Sequence, residues 1–232
     1  MKYLELFKNG FDETITEKVK VENWPYVAYS TKECRVVCTS INKIIIPELV
    51  DLGLPSGLKW ANMNVGATRP EESGNYYAWG ETDVKDVYNW DTYKYTQDLT
   101  KYNSIDNINI LEPQDDVATQ LYGDGWKIPN YSDLQELFSN TYYKNTSLNG
   151  VKGIEFISNI NGNTIFFPIA GVVVNDSVRD FGDYAEYTTS QANRNDYSNA
   201  GSFCITPNRG SYARVLTTQY RYIGCTIRPV HS

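Results

Sequence analysis

Three short segments within residues 50–230 constrain the fold of this chain more than any other feature. They read VDLGLPSGLKWANMNVGATRPEESGNYYAWGET at 50–82, GDGWKIPNYSDLQEL at 123–137 and RYIGCTIRPV at 221–230. Each is unremarkable alone, but their order and spacing form a specific signature. In the first segment, the Pro55 ring presets φ and Gly57 accepts the geometry that follows, which predicts a turn. Residues 58–61 then alternate apolar and polar side chains, as a half-buried strand does.

Length and charge limit the possible classes of protein. The chain has 232 residues, of which 41% are hydrophobic, enough for one packed domain and a small extra module. The net charge is −7, and no cluster of lysine and arginine is present to bind nucleic acid or an anionic membrane. No stretch resembles a signal peptide or a transmembrane helix, so we expect no membrane insertion and either no leader or one already removed.

The first 45 residues are expected to form a separate β-rich module. Residues 26–29 and 35–38 are β-rich runs separated by a polar stretch, which predicts a hairpin. A segment of this size cannot bury a core of its own. We therefore expect it to serve attachment or homo-oligomerisation, with the main domain over residues 46–232.

Two helices are predicted in the middle of the main domain. Pro113 suits a first helical position and Gly123 a stop, which predicts a helix with Asp115 and Asp116 in its first turn. A second helix is expected after Asn130 as N-cap, with Asp133 three residues later. The remaining strands are expected near residues 154–160, 163–167, 184–190, 202–206, 213–217 and 225–230, with a type I′ turn at Asn161-Gly162. Two helices followed by antiparallel strands predict an α+β fold.

The three segments together resemble the Fibrobacter succinogenes major paralogous domain family over about residues 46–232. That family is similar to the C-type-lectin fold of formylglycine-generating enzymes and of the variable proteins of diversity-generating retroelements. Family members carry a Trp-Ser-Ser-Ser strand, variable turns and a closing Arg-Tyr-x-Gly-x-x-Val-Arg-Pro-Val; the matching elements here are residues 187–190 and 221–230. The resemblance implies a C-type-lectin-like fold, with two helices packed on antiparallel sheets, whose target contacts come from side chains between those anchors.

Residues 184–222 are the candidate binding region. They are rich in Tyr, Asn, Ser, Arg and Thr, a mixture that suits adaptable binding surfaces. Arg228, inside the closing segment, is expected to be a structural hydrogen-bond donor instead. The predicted ligand-binding residues, whose loops at 193–197, 208–212 and 219–221 are expected to share one docking area, are Tyr184, Glu186, Asn193, Arg194, Asn195, Asp196, Tyr197, Asn208, Arg209, Tyr212, Arg214, Gln219, Tyr220 and Arg221.

No catalytic residue, metal site or cofactor is predicted. The calcium-binding motif of sugar-binding lectins is missing, because Thr206-Pro207-Asn208 lacks a leading acidic or amide side chain. Formylglycine-type chemistry needs a closely spaced cysteine pair, whereas Cys204 and Cys225 stand far apart in sequence and are either bonded or free buried thiols. With one histidine, next to the end of the chain, a histidine-based triad is also not expected.

The leading hypothesis is therefore non-catalytic recognition of a host-cell surface protein or glycan. The resemblance places such a protein on a phage tail or a bacterial cell surface, with a binding face that a retroelement can diversify. Two alternatives remain open at this stage. One is a structural virion or fimbrial assembly protein, and the other is an enzyme of the formylglycine-generating type.

Overall fold

A computed structural model describes residues 3–8, 13–20, 44–96, 98–206 and 215–232. The chain divides into two compact units, Met1–Ile44 and Ile45–Ser232. The described part of the first unit is an antiparallel hairpin of β1 (Tyr3–Lys8) and β2 (Glu13–Lys20), with an irregularity in register between Glu5 and Phe7. The hairpin predicted within residues 26–38 lies outside the described residues.

The second unit is rich in antiparallel sheet. Four sheets have the strand orders β3-β4-β14-β5, β6-β7-β8, β9-β10 and β11-β12-β13. The strands are β3 Leu49–Val50, β4 Lys59–Ala61, β5 Trp126–Lys127, β6 Thr141–Leu148, β7 Val151–Ser158, β8 Thr164–Pro168, β9 Val172–Val174, β10 Ser177–Arg179, β11 Ala185–Ala192, β12 Asn199–Ile205, β13 Val215–Tyr220 and β14 Val230–His231.

The four-stranded sheet brings the three sequence segments together. The last strand, β14, pairs with β4 on one side and with β5 on the other. Val230 lies opposite Trp60 in one pair and opposite Lys127 in the other. Each of the three segments thus supplies at least one strand to this sheet.

Two helices accompany the sheets, so the prediction of an α+β fold is confirmed at this level. The second, α2 (Tyr131–Asn140), begins as predicted: the Asn130 side chain accepts from the Asp133 amide, and the Asp133 side chain accepts from the Asn130 amide. The first, α1 (Val117–Tyr122), ends at Gly123 with φ +90°, also as predicted. Among the described residues, no helix is both long and apolar enough to cross a membrane.

The start of α1 differs from the prediction. Residues Pro113–Asp115 form a 3-10 turn, and Asp116 is extended and caps α1 instead of lying inside it. Its carboxylate accepts hydrogen bonds from the amides of Ala118 and Ile128 at 2.9 and 2.8 Å. The bond to Ile128 joins α1 to the chain that follows β5, a long-range link that helical periodicity does not reveal.

Two predicted β features also differ. The turn at Asn161-Gly162 is longer than the two-residue type I′ turn that was predicted, because β7 ends at Ser158. The Ile160 amide donates to Ser158 Oγ instead of to a neighbouring strand. The strand predicted at 225–230 is reduced to β14, while Cys225 and Thr226 form isolated bridges. The long strand β6 was not predicted.

Aromatic rings pack against one another in both large cores of the second unit. The first surrounds Trp60, Phe156, Phe167 and Phe203, whose neighbouring rings lie 5.2–6.1 Å apart in tilted or edge-to-face pairs. Arg228 lies within it, 1% exposed, and donates to the side chain of Asn64 and to the carbonyls of Ala61 and Phe166 at 2.8–3.1 Å. The prediction of a structural role for Arg228 is confirmed.

The second core is built around tyrosines. Tyr102 is fully buried, and its ring meets those of Trp79 and Tyr95 edge to face at 5.0 and 5.6 Å. These residues come from the stretch between β4 and α1, which carries little regular secondary structure. The stretch is held instead by packed rings and by hydrogen bonds to the sheet β11-β12-β13 described below.

Candidate functional site

The sheet β11-β12-β13 carries most of the predicted ligand-binding residues, and its two faces differ. One face packs into the first core through Tyr187 and Phe203. Successive side chains of a strand alternate between faces, so Glu186 and Ser202 point the other way. That opposite face is polar, and its position in the fold decides which of the predicted residues are accessible.

Glu186 is buried, contrary to its prediction as a ligand contact. Glu186 is 1% exposed. Its carboxylate accepts hydrogen bonds from Ser202 Oγ at 2.8 Å, from Gln219 Nε2 and from the Tyr184 hydroxyl. Burial raises the pKa of Glu186, and these three hydrogen bonds only partly oppose the rise. Tyr184 and Gln219 are half-buried around it.

Arg221 is also buried, and it too was predicted to contact a ligand. It is 0% exposed, and its guanidinium nitrogens donate to the carbonyls of Lys101 at 3.2 Å and Tyr102 at 2.7 Å. The guanidinium carbon lies 4.5 Å from the centre of the Trp79 ring. Its donors therefore serve the fold, in the same way as those of Arg228.

Residues 193–198 form an exposed loop between β11 and β12, which we call the candidate loop. Arg194, Asn195 and Asp196 are exposed, and Tyr197 is half-buried. The Asp196 carboxylate accepts from Ser198 N at 3.0 Å, from Ser198 Oγ at 2.6 Å and from Asn199 Nδ2 at 2.7 Å. Hydrogen bonds from Ser198 lower the pKa of Asp196, which favours the ionised form that closes the loop.

Tyr220 presents an aromatic ring beside this loop. It is 47% exposed and stacks on Tyr222, with ring centres 5.7 Å apart and planes inclined by 14°. Trp90 meets both rings, at 6.3 Å from Tyr220 and 4.9 Å from Tyr222. Contacts with two neighbouring rings therefore restrict the orientation of the Tyr220 ring.

The candidate loop and Tyr220 are adjacent. Tyr220 lies opposite Asn199 in the β12–β13 register, and the Arg221 amide donates to the Ser198 carbonyl at 3.0 Å. We call the candidate loop together with Tyr220 the candidate face. Of the three predicted loops, the structure thus brings together 193–197 and the exposed part of 219–221.

The third predicted loop lies outside the described residues, with Asn208, Arg209, Tyr212 and Arg214. The flanking positions, Thr206 and Val215, lie at the other end of β12 and β13, because Cys204 pairs with Val215 while Asn199 pairs with Tyr220. Strand β12 rises by about 20 Å over its length. Tyr184 and Glu186 also lie toward that other end, since Ala185 pairs with Ile205.

One segment next to the candidate face was not predicted from the sequence to belong to the site. Residues 99–111 attach to both sides of the candidate face, through Arg221 at Lys101 and Tyr102 and through a bridge between Ile110 and Gln191. The sequence NSIDN at 103–107 indicates a turn, because asparagine and aspartate side chains at this spacing can accept hydrogen bonds from nearby backbone amides.

The described residues offer no metal site. None of their His, Cys, Asp and Glu side chains form a group of three or more that could hold a metal ion. Asp115 is 3% exposed and bound to Lys94 Nζ and Lys101 Nζ, each at 2.6 Å. No disulfide joins the half-buried Cys204 to the buried Cys225, and burial raises the pKa of Cys225.

Neither the family models, nor the curated proteins, nor the solved structures contain a match to this chain.

Proposed function

We propose that the second unit is a non-catalytic target-recognition module with a C-type-lectin-like fold, which binds a protein or glycan on a host-cell surface through the candidate face. This proposal rests on the difference in burial between the exposed candidate loop and the buried ends of the two strands that flank it. Arg194, Asn195 and Asp196 are exposed, while Ala192 and Ala200, at the ends of the adjoining strands, are 3% and 2% exposed. Side chains of such a loop can change without disturbing the core beneath them.

The composition of the candidate face supports binding. An arginine, two asparagines and two tyrosines lie together, and tyrosine buries a large area at low cost in conformational entropy. Tyr220 is held in place by Tyr222 and Trp90, so little side-chain freedom is left to lose when a target binds.

The sheet β3-β4-β14-β5 supports the C-type-lectin-like part of the proposal. The three segments that carry the family resemblance meet there, so they form one structural unit as members of a common fold would. In this proposal the protein sits on a phage tail or a bacterial surface, the first unit attaches it there, and the candidate face is diversified. The structural assembly protein and the enzyme remain the alternatives.

The test replaces side chains that take no part in the described hydrogen bonds of the candidate loop. The variant Arg194→Ala, Asn195→Ala, Tyr197→Ala keeps Asp196 and therefore the loop conformation. We expect the fluorescently labelled variant to lose most of its binding to a panel of gut bacterial cells in flow cytometry. We also expect its melting temperature to stay near that of the wild type.

A matched control removes the same kinds of side chain elsewhere. Ser177, Arg179 and Phe181 are exposed and offer a small polar residue, an arginine and an aromatic ring in and just after β10. Their triple alanine variant should bind cells like the wild type. Full binding by the loop variant would exclude the candidate face as the binding site.

A further inference from the structure

The segment 99–111 is attached to the candidate face at both of its ends. Near its start, the Arg221 guanidinium holds the carbonyls of Lys101 and Tyr102. Near its end, the Ala192 amide donates to the Asn109 carbonyl at 2.8 Å. Arg221 follows Tyr220, and Ala192 precedes the candidate loop. The turn at residues 103–108 therefore lies next to the candidate face.

This turn carries an isoleucine that is almost fully exposed. Ile105 is 92% exposed, more than any other large hydrophobic residue that the structure describes as exposed. Ile110, on the same segment, is 39% exposed. A single exposed apolar residue is ordinary by itself, so its meaning depends on how the backbone around it is held.

The backbone that presents Ile105 is locked by side-chain hydrogen bonds. Asn103 Oδ1 accepts from the amides of Ile105 at 2.7 Å and Asp106 at 3.2 Å. In return, Asp106 Oδ1 accepts from the amides of Asn103 and Ile108, both at 3.0 Å. The turn is therefore closed by two side chains that bond to each other's backbone, one on either side of Ile105.

The same stretch contains unusual backbone conformations. Leu99, Tyr102 and Asn107 have φ of +51°, +60° and +56°, a region that leucine and tyrosine rarely occupy. Tyr102 is kept there by Asp106 Oδ2, which accepts from its amide at 2.6 Å. A strained, bonded turn that holds an apolar side chain in solvent is organised for contact before any partner arrives.

The exposed isoleucines argue for a protein target over a glycan. Sugar recognition relies on side-chain donors and acceptors that bond hydroxyl groups, and neither Ile105 nor Ile110 has any. In the neighbouring candidate loop, Asn193 Oδ1 already accepts from the Asn195 amide, and both carboxylate oxygens of Asp196 accept from Ser198 or Asn199. An apolar side chain that is 92% exposed gains most from a partner with an apolar pocket, which a folded protein can offer.

We propose that Ile105, next to the candidate face, is an anchor that inserts into an apolar pocket on a protein target. This rests on the proposed function and narrows its partner class from a protein or glycan to a folded protein. Buried apolar anchors at the centre of an interface commonly carry a large share of binding energy, while the surrounding contacts exclude water.

The test compares Ile105→Asp with Ile160→Asp in the full chain. Ile160 is 54% exposed, and its turn bonds to the carbonyls of Asp51 and Leu52 instead of to the segment 99–111. Labelled wild type and variants are titrated onto gut bacterial cells, both intact and pretreated with proteinase K or with periodate. Circular dichroism and melting temperature check the fold of each variant.

We expect Ile105→Asp to bind about tenfold or more weakly, with its fold intact and with Ile160→Asp unaffected. Binding by the wild type should disappear after proteinase K and survive periodate, which oxidises sugar diols. Equal binding by Ile105→Asp and the wild type, or loss after periodate alone, would overturn the proposal and leave the proposed function standing. Absence of wild-type binding to every cell in the panel would overturn both.

Discussion

Arg221 lies against Trp79 with its guanidinium carbon 4.5 Å from the centre of the indole ring. The guanidinium also holds the carbonyls of Lys101 and Tyr102. One side chain thus joins the end of β13, the first sequence segment and the turn-rich stretch before α1. The backbone amide of Arg221 also bonds to the Ser198 carbonyl and so links this residue to the candidate loop.

Replacing Arg221 by lysine should destabilise the fold by about 3 kcal/mol, because a lysine cannot reproduce the planar, forked set of donors. Urea denaturation followed by tryptophan fluorescence measures the change. The exposed Arg194→Lys should stay within about 0.5 kcal/mol of the wild type. A similar small effect for Arg221→Lys would show that its hydrogen bonds contribute little.

Asp115 should stabilise the protein at neutral pH through its two lysines. Burial pushes the pKa of Asp115 upward, but hydrogen bonds from Lys101 and Lys94 outweigh burial and hold that pKa below its usual value. A lowered pKa in the folded state adds stability above the unfolded value of about 4, and this stability is lost as the pH falls further.

Asp115→Asn should therefore lower the free energy of unfolding by about 2 kcal/mol at pH 7, because the half-buried Lys101 and the exposed Lys94 lose their charged partner. The difference from the wild type should shrink between about pH 4 and pH 2. Denaturation curves at several pH values test both parts. A difference that does not change with pH would contradict the role of the ionised carboxylate.

Glu186 should act in the opposite direction. Burial raises its pKa in the folded state, so it favours folding when protonated, and this contribution is lost as the pH rises through the folded-state value. Glu186→Gln cannot ionise. We therefore expect the stability of the variant relative to the wild type to increase from pH 4 to pH 8. A constant offset over that range would show that Glu186 titrates like an exposed carboxyl group.

Two glycines with similar φ angles should lose different amounts of stability when they are replaced by alanine. Gly57 has φ +76° and open space around an added Cβ, so Gly57→Ala should cost only about 1 kcal/mol of backbone strain. Gly74 has φ +68°, but an added Cβ would lie 2.3 Å from the Val65 carbonyl oxygen. Gly74→Ala should cost at least about 2 kcal/mol more, which thermal denaturation of both variants measures. Equal losses would mean that this loop relaxes freely.

Local features of the fold could be predicted from the sequence because their causes lie within a few residues. The cap of α2 at Asn130 and Asp133, the stop of α1 at Gly123 and the strand at Trp60 each depend on neighbours in the chain. The candidate loop was also predictable, because residues 193–197 offer little apolar surface to bury.

The roles of individual polar residues could not be predicted in this way. Glu186 and Arg221 looked like members of a polar binding region, yet both are buried. Their partners, Ser202 for one and Tyr102 for the other, are distant in sequence. Asp116 likewise left the predicted helix because it also bonds to Ile128.

The sequence by itself determined the helix caps, the turn positions and the polar character of the region between β11 and β14, since those depend on residue type and short-range geometry. Only the tertiary structure decided which polar groups face solvent. It also decided that the residues flanking 207–214 lie at the opposite end of β12 from the candidate loop. The physical reason is that burial and strand register come from contacts between distant segments. A charged side chain enters the core when such contacts supply enough hydrogen bonds to replace water.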